Sequence, residues 1–446
     1  MFVKMEDLML LPFPSQLYLD GNIDVCENDL APEGYAINSD GENVEITAGD
    51  LAGYFYAEQT LQQLRRQYND ELPIMAIIDE PRFSWRGLHL DVSRHFFSVN
   101  TIKKLLAAMA HFKLNRFHWH LNDDQGWRLP IDKYPLLTEK GGWRIDENGN
   151  KYGGCYTKAE INEIVCFAQS LHIEVIPEIE LPGHAGAALA AYPQFSCSGE
   201  KAKVEVEWGV FSDVYCTGKD ETVEFLKDIL AEVCEMFPSR WLHIGGDECP
   251  VDNWKKCPQC QKRMIDENLP DEAALQGWLM NQMAEFLAKK GKIPFGWDEI
   301  MDSSVKSEIG VMIWRGDGKD AQKMALNADQ KMVMCPNFYC YFDWKQTAAE
   351  GEHGSFGVTT LSKTYSYEPA ETPEMEKLVL GLQGNIWTER IVNEKELFYM
   401  AFPRALAIAE SGWNARKSDF NTFLKRVKGQ QRFLEFLEIT GCAKME

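Results

Sequence analysis

From about residue 85 onward, short apolar runs alternate with stretches whose apolar residues recur at helical spacing. Eight runs indicate buried strands: GLHLDVS (87–93), NRFHWHLN (115–122), IEVIPEIEL (173–181), WLHIGGD (241–247), IPFGWDE (293–299), GVMIWRG (310–316), KMVMCP (331–336) and LGLQGNIW (380–387). Amphipathic segments separate most of them, but the seventh and eighth runs are separated by a long loop with no clear helix. Because parallel strands need long crossovers, this alternation predicts an α/β fold, a parallel (β/α)8 barrel. An open doubly wound sheet is the alternative, but no Gly-rich phosphate turn follows the first run.

The first 80 residues have a different pattern. SQLYLD (15–20) and ENVEITA (42–48) alternate as strands do, and GYFYAEQTLQQLRRQ (53–67) predicts a helix anchored by Tyr54, Tyr56, Leu61 and Leu64. The proline-containing segment DEPRFSW (79–85) then marks a boundary. We therefore predict a small α+β domain over residues 1–80 and a barrel with a C-terminal helix over residues 81–446.

Polar side chains concentrate where the predicted strands end, which is where (β/α)8 barrels carry their chemistry. In chain order they are Asp91, Arg94, His118, His120, Asp123, Asp124, Glu178, Glu180, His184, Asp247, Glu248, Asp298, Glu299, Arg315, Tyr341, Asp343 and Glu389. Neighbours within a strand face opposite sides, so Asp247 and Glu248 share one site only if the chain already turns there. The two preceding glycines leave room for close approach of backbone or ligand.

Three tryptophans, Trp297, Trp314 and Trp387, also stand at predicted strand ends. Aromatic faces stack on the C–H faces of sugar rings, while carboxylates and arginine bind hydroxyl groups. The combination favours a carbohydrate pocket. The alternative for each tryptophan is a large side chain that simply fills the core.

Taken together, these motifs resemble the family 20 glycoside hydrolases, the β-N-acetylhexosaminidases. The resemblance rests on RGLHLDVSRHFF (86–97), FHWHLNDDQGWR (117–128), PEIELPGH (177–184), HIGGDE (243–248), GWDE (296–299), YFD (341–343) and GNIWTE (384–389), which follow the family's order over residues 82–415. Residues 1–80 resemble a short version of the small domain that precedes the barrel in that family. The resemblance implies retaining release of terminal β-linked N-acetylglucosamine or N-acetylgalactosamine, with the substrate's own acetamide as nucleophile.

The resemblance also implies a role for individual residues. Glu248 would be the general acid/base, Asp247 would orient the acetamide and stabilise the oxazolinium ring, and Tyr341 would hydrogen-bond the acetamide oxygen. The other implied groups are the pocket walls Trp297, Trp314 and Trp387, the sugar-binding Arg94, Asp343 and Glu389, and the supporting pair Asp123 and His184. A general acid needs a raised pKa, and we expect Asp247 to raise that of Glu248. No cofactor or metal is implied.

Other functions remain open at this point. GGDE resembles the signature of diguanylate cyclases, although Cys249 replaces the usual phenylalanine. His118, His120, Asp123 and Asp124 could hold a metal in a metal-dependent barrel hydrolase, or the histidines could be structural. A sugar-binding protein without activity is a third alternative. Within the family, an exo-enzyme that removes a disaccharide, of the lacto-N-biosidase type, is a fourth.

The net charge, the apolar runs and the N-terminal residues restrict the possible partners and location of the protein. The net charge of −22 and the absence of a Lys/Arg cluster argue against a nucleic-acid partner. No apolar run reaches the roughly 18 residues that cross a membrane. The first residues lack the features of a signal peptide, so we expect a cytoplasmic protein that acts on an oligosaccharide or glycoconjugate. Nothing in the sequence indicates an oligomeric state.

Twelve cysteines are present, and the densest group is in CPVDNWKKCPQCQ (249–261), directly after the predicted acid. Cys249, Cys257 and Cys260 have no fourth ligand at zinc-finger spacing, so free thiols or a local disulfide are favoured over zinc. The insertion could add or block subsites, which leaves the selectivity for the leaving group open.

Overall fold

The computed structural model describes residues 7–19, 21–146 and 149–445. Its N-terminal part is an antiparallel sheet covered by one helix. The strands are β1 (Gln16–Leu19), β2 (Tyr35–Ser39), β3 (Val44–Ala48) and β4 (Met75–Asp79), in the order β1-β4-β2-β3, with helix α1 at Leu51–Tyr68. The two strands and the helix predicted here are confirmed. Asp20, residues 1–6 and Glu446, which the predictions included, lie outside the described residues.

One predicted anchor of α1 is wrong. Tyr56, Leu61 and Leu64 are buried, but Tyr54 is 50% exposed. The buried face of the helix is centred on Ala57 and Leu64. Tyr54 lies at the edge of that face, near the exposed first turn, so the sheet does not cover it.

Eight parallel strands form a closed barrel. They are β5 (Trp85–Asp91), β6 (Arg116–His120), β7 (Glu174–Glu178), β8 (Trp241–His243), β9 (Ile293–Trp297), β10 (Gly310–Ile313), β11 (Met332–Met334) and β12 (Val379–Ile386). Each strand pairs in parallel with the next, and β12 pairs with β5 to close the barrel. The predicted (β/α)8 barrel is confirmed, and the doubly wound alternative is wrong.

Helices surround the barrel unevenly. The longer ones are α2 (Val99–His111), α3 (Lys158–Ser170), α4 (Asp220–Met236), α5 (Pro258–Asp266), α6 (Glu272–Lys289), α7 (Lys319–Asn327) and α8 (Arg404–Trp413). Shorter or later helices are Leu136–Glu139, Gly186–Ala191, Asp252–Lys256, Asn337–Cys340, Leu361–Ser366, Pro373–Glu376, Glu394–Ala401, Phe420–Gly429 and Gln431–Phe436. Over the described ranges, no helix is long and apolar enough to cross a membrane.

Two crossovers depart from the expected pattern. The connection between β9 and β10 contains a 3₁₀ helix, Asp298–Ser303, in place of an α-helix. The segment between β11 and β12, predicted to contain no clear helix, instead holds three short ones. Helices of one to two turns are too short to produce a readable apolar period in the sequence.

Candidate active site

The chain leaves the barrel before it reaches the two adjacent carboxylates. Strand β8 ends at His243, and Gly245 and Gly246 then take positive φ values of 62° and 101°. A Cβ atom on Gly245 would lie 1.8 Å from Oε2 of Glu180. Glycine is therefore required here both by the backbone angle and by a neighbouring carboxylate. The turn carries Asp247 and Glu248 to the mouth of the barrel, as the sequence predicted.

Both carboxylates face the same imidazole. Nε2 of His184 lies 3.7 Å from Oδ2 of Asp247 and 3.6 Å from Oε2 of Glu248. Asp247 is buried, whereas the Glu248 side chain is 42% exposed. The backbone N–H of Glu248 donates to Oε2 of Glu299 at 2.7 Å, which fixes the turn. Adjacent acids of unequal exposure are suited to different tasks.

The two acids titrate differently, and one expectation about them is wrong. Burial, together with the charge of Glu248, raises the pKa of Asp247 to about 6. The adjacent His184 imidazole instead lowers the pKa of Glu248, against a smaller effect of burial. The pKa that is raised is therefore that of Asp247, not that of Glu248 as expected. The reason is that the cationic histidine, which comes from the loop after β7, lies 3.6 Å from the Glu248 carboxylate.

His184 is held by two further acids. Its Nδ1 atom lies 3.1 Å from Oδ1 of Asp123 and 3.1 Å from Oδ2 of Asp124. Burial alone would lower the pKa of His184, but the charge of Asp123 and its hydrogen bond raise it well above the usual value. The imidazole is thus a cation that faces both Asp247 and Glu248.

The histidines considered as metal ligands are engaged elsewhere. Nδ1 of His120 lies 2.6 Å from Glu178 and Nε2 lies 2.9 Å from Asp123. Burial opposes its protonation, yet the Glu178 charge raises the pKa of His120 to about 10. A protonated imidazole has no lone pair for a metal. His118 is neutral, because burial lowers its pKa to about 3, and it contacts Glu178 through Nε2 at 3.1 Å and Gln383 through Nδ1 at 3.0 Å. Both histidines thus have partners inside the barrel, which favours the structural role.

A cavity of about 260 Å³ opens beside the carboxylates. Its lining is Arg94, His184, Asp247, Glu248, Trp314, Asn337, Tyr341, Asp343, Trp344, Phe356, Trp387 and Glu389. Every residue to which the family resemblance assigns a role lines this cavity, except Asp123 and Trp297. Asp123 lies behind the lining, where Oδ2 accepts from Arg94 at 2.8 Å.

The aromatic walls come from β10, β12 and the segment between β11 and β12. Trp314 and Tyr341 are nearly parallel, at 16°, with ring centroids 5.9 Å apart, and Trp387 lies 6.2 Å from Tyr341. Trp297 is different, because it is still the last residue of β9 and its ring packs 4.7 Å from that of His243 inside the barrel. Trp297 therefore lies one layer below the cavity lining, where its ring packs 5.8 Å from that of Trp387.

Three lining residues were not found from the sequence: Asn337, Trp344 and Phe356. Trp344 directly follows the YFD motif, and its aromatic character at that place was the available signal. Asn337 and Phe356 lie in a connection whose short elements have no readable period, so nothing in the sequence marked them. Phe356 is 84% exposed at the rim of the cavity.

Several polar atoms around the cavity are buried but have no hydrogen-bond partner among the described residues. They include Oδ1 of Asp247, Oδ1 of Asp343 and the indole Nε1 of Trp387. Buried polar groups are nearly always satisfied in native proteins. Two acceptors and one donor of this kind suit a ligand that carries hydroxyl and amide groups.

Comparison with known families agrees with this geometry. The family model described as "Glycosyl hydrolase family 20, catalytic domain" matches residues 83–416, and "Glycosyl hydrolase family 20, domain 2" matches residues 9–80. This chain belongs to glycosyl hydrolase family 20. The suspected resemblance is thereby confirmed, and the cyclase alternative is wrong, because the GGDE residues form the mouth of a family 20 barrel.

Two curated relatives are similar over most of this chain. A beta-hexosaminidase of Porphyromonas gingivalis is 44% identical over 413 residues, covering 89% of this chain and 53% of the relative. A beta-hexosaminidase of Akkermansia muciniphila is 34% identical, covering 94% of this chain and 86% of the relative. The chain thus spans about half the length of the first relative, 53% of it, and most of the second.

Solved structures show the same fold. The crystal structure of a beta-N-acetylhexosaminidase superposes with a TM-score of 0.90 at 32% identity, covering 96% of this chain and 95% of that one. The exo-beta-N-acetylglucosaminidase from Vibrio harveyi in complex with N-acetylglucosamine gives 0.87 at 29% identity, covering 98% of this chain and 78% of that one.

Proposed function

We propose that this protein is a retaining exo-β-N-acetylhexosaminidase that releases terminal β-linked GlcNAc or GalNAc from oligosaccharides or glycoconjugates. The observation that carries the proposal is the placement of Asp247 and Glu248 at the edge of one aromatic cavity, with His184 between them. The names of the relatives, beta-hexosaminidase in two cases, support it. A barrel that only bound sugar would not need this pair of acids.

In the first step the acetamide oxygen of the substrate attacks the anomeric carbon and forms an oxazolinium ring. The unpartnered Oδ1 of Asp247 would accept the acetamide N–H and stabilise the positive charge that develops on the ring. Tyr341 would donate its phenolic hydrogen bond to the acetamide oxygen. The near-parallel rings of Trp314 and Tyr341 would confine the group in its reactive shape.

Glu248 would move the proton in both steps. Its side chain, 42% exposed at the edge of the cavity, would face the departing group, where it would protonate the glycosidic oxygen and then deprotonate the incoming water. The charges of Asp247 and Glu248 interact, because the charge of Glu248 contributes to the raised pKa of Asp247. Since the proton of the free pair resides mainly on Asp247, acceptance of the acetamide N–H by Asp247 would shift that proton to Glu248, where the reaction needs it.

The remaining polar groups would hold the sugar ring. Arg94 has its guanidinium positioned by Asp91 and Asp123, at 3.4 Å and 2.8 Å, and its charged face lies 5.1 Å above the Trp387 ring. We assign it to adjacent hydroxyls of the non-reducing end. Asp343 and Glu389 would accept from further hydroxyls, and Asp123 and His184 would position the general acid.

The size of the cavity supports release of one sugar rather than two. At about 260 Å³ it lies below the range of roughly 300–1,000 Å³ that is typical for drug-sized ligands. A disaccharide-removing enzyme would need further room beside the ring hydroxyl to which the second sugar is attached. We therefore propose monosaccharide release as the main activity.

Release of p-nitrophenol from its β-N-acetylglucosaminide, measured beside the plain β-glucoside, tests the proposal. We expect fast release from the first substrate only, because the glucoside lacks the acetamide nucleophile. Equal release from both would mean that a protein carboxylate is the nucleophile. Release from a p-nitrophenyl disaccharide alone would support the lacto-N-biosidase-type alternative.

We also propose that the chain divides into the small domain at residues 1–80 and the barrel at residues 81–446, and that it acts in the cytoplasm. None of the twelve cysteines, all of which lie among the described residues, forms a disulfide, which supports a reducing compartment. Cell fractionation with an activity assay tests the location.

A further inference from the structure

Four cysteines converge beside the catalytic loop, outside the sugar cavity. Sγ of Cys216 lies 3.7 Å from Sγ of Cys257 and 3.6 Å from Sγ of Cys260, and Sγ of Cys197 lies 3.8 Å from Sγ of Cys260. All four sulfur atoms lie within 4.8 Å of one another. Cys216, Cys257 and Cys260 are buried, and Cys197 is partly buried.

These distances match a tetrahedral metal site. Four sulfurs that each lie about 2.3 Å from a central zinc ion are about 3.8 Å apart along the edges of the tetrahedron. A disulfide requires about 2.05 Å, far shorter than any of the separations found. Sulfurs arranged around an iron–sulfur cluster would lie farther apart, because several atoms separate them. The spacing therefore selects a single ion.

The local backbone has the form of two loops that present paired thiols. Cys257 and Cys260 belong to a CxxC turn in which Pro258 begins helix α5. A Cβ atom on Gly218 would lie 2.2 Å from the carbonyl carbon of Gln259, so only glycine lets the Cys216 turn pack against the CxxC turn.

We propose that Cys197, Cys216, Cys257 and Cys260 bind one structural Zn²⁺ ion, which joins the loop after β7 to the insertion after Glu248. The soft, divalent zinc ion prefers thiolate ligands, and a closed set of four leaves no position for substrate. The expectation of free thiols or a local disulfide in the insertion is thereby revised. Cys249, which the sequence grouped with Cys257 and Cys260, is not a ligand; its place is taken by two cysteines from the preceding loop.

The site would stabilise both halves of the catalytic apparatus. The backbone N–H of Tyr215, next to Cys216, donates to the carbonyl of Pro182 at 3.0 Å, two residues before His184. On the other side, Trp254 is fully buried in the insertion, and its Nε1 donates to the carbonyl of Tyr215 at 2.9 Å. Cys216, Cys257 and Cys260 form, with Val214, Trp254, Met264 and Leu275, a small separate core against which Cys197 packs. Such a core is too small to order long loops by apolar burial alone.

Metal analysis of the purified protein is the first test. We expect about one zinc per chain after tag-free purification, by inductively coupled plasma mass spectrometry. The double variant Cys257→Ser/Cys260→Ser should lose this zinc, whereas Cys249→Ser and the exposed control Cys166→Ser should keep it. Zinc retained by the double variant, or lost from the Cys249 variant, would overturn the assignment of ligands.

A second measurement uses the wild-type chain, in case the double variant does not fold. Protein produced with Co²⁺ in place of Zn²⁺ should show the sulfur-to-cobalt charge-transfer and visible bands of a tetrahedral tetrathiolate site. Removal of the metal by a chelator should lower the thermal midpoint of unfolding. Metal-free wild-type protein in which mass spectrometry finds all four cysteines as unmodified thiols, or as disulfides, would overturn the proposal. These readouts do not depend on activity, so they are independent of the function proposed above.

Discussion

The Nε2 atom of His184 lies 3.6 Å from Oε2 of Glu248. The imidazole is cationic, because the Asp123 charge and hydrogen bond raise its pKa well above the usual value despite burial. A cation at this distance favours the ionised form of Glu248, while the buried neighbour Asp247 retains a proton more readily. Binding of the substrate acetamide at Asp247 would therefore transfer that proton from Asp247 to Glu248.

The pH dependence of the wild-type enzyme follows from this arrangement. The productive pair carries one proton, and the pKa of about 6 for Asp247 marks the loss of that proton in the free enzyme. We expect kcat/KM to fall as pH rises through about 6, and to fall again in acid, where both carboxyls are protonated. Measurement of kcat/KM for p-nitrophenyl β-N-acetylglucosaminide between about pH 4 and pH 8 checks this. A profile that is flat across pH 6 would contradict it.

Replacement of the histidine should move that profile. His184→Gln removes the cation that lowers the pKa of Glu248, so both carboxyl pKa values rise. We expect the basic limb of kcat/KM to shift upward by roughly one pH unit, with kcat reduced about tenfold. His353→Gln, a partly exposed position, is the matched control and should keep the wild-type profile. A reduced kcat with an unmoved limb would mean that His184 acts only as a structural support.

Part of this architecture could be predicted from sequence, and the rest depended on contacts between distant segments. Period and length located the eight strands, and two glycines before Asp247 marked the turn at the barrel mouth. The pKa direction of Glu248 was missed because His184 reaches it from another loop. The cysteine cluster was missed for the same reason, since Cys197 and Cys216 are far from Cys257 in sequence. Trp297, predicted as a wall, lies one layer below the lining because it is still the last residue of β9, and pattern alone does not resolve a strand end to one residue.

Substrates with different leaving groups should distinguish the role of Asp247 from that of Glu248. Glu248→Gln and Asp247→Asn should each lower turnover of p-nitrophenyl β-N-acetylglucosaminide by about 10²-fold or more. A dinitrophenyl leaving group needs no proton, so it should restore much of the first step, measured as the release burst, in the Glu248 variant but not in the Asp247 variant. Steady-state and burst kinetics with both substrates measure this difference.

The surface variant Glu235→Gln is the matched control for these two changes and should turn over both substrates at the wild-type rate. Wild-type turnover in either active-site variant would refute the corresponding role. Equal rescue of both variants by the better leaving group would mean that Asp247 and Glu248 are not divided between the acetamide and the leaving oxygen.

The turn that carries these carboxylates should tolerate no side chain at its first glycine. Gly245 has φ of 62°, and an added Cβ would lie 1.8 Å from Oε2 of the buried Glu180. Gly199 has φ of 69° but no atom within 4 Å of an added Cβ, so it isolates the cost of the backbone angle. We expect Gly199→Ala to lower the free energy of unfolding by about 1 kcal/mol and Gly245→Ala by roughly 3 kcal/mol or more. Urea denaturation of both variants measures the difference, and equal losses would show that the contact with Glu180 does not constrain the turn.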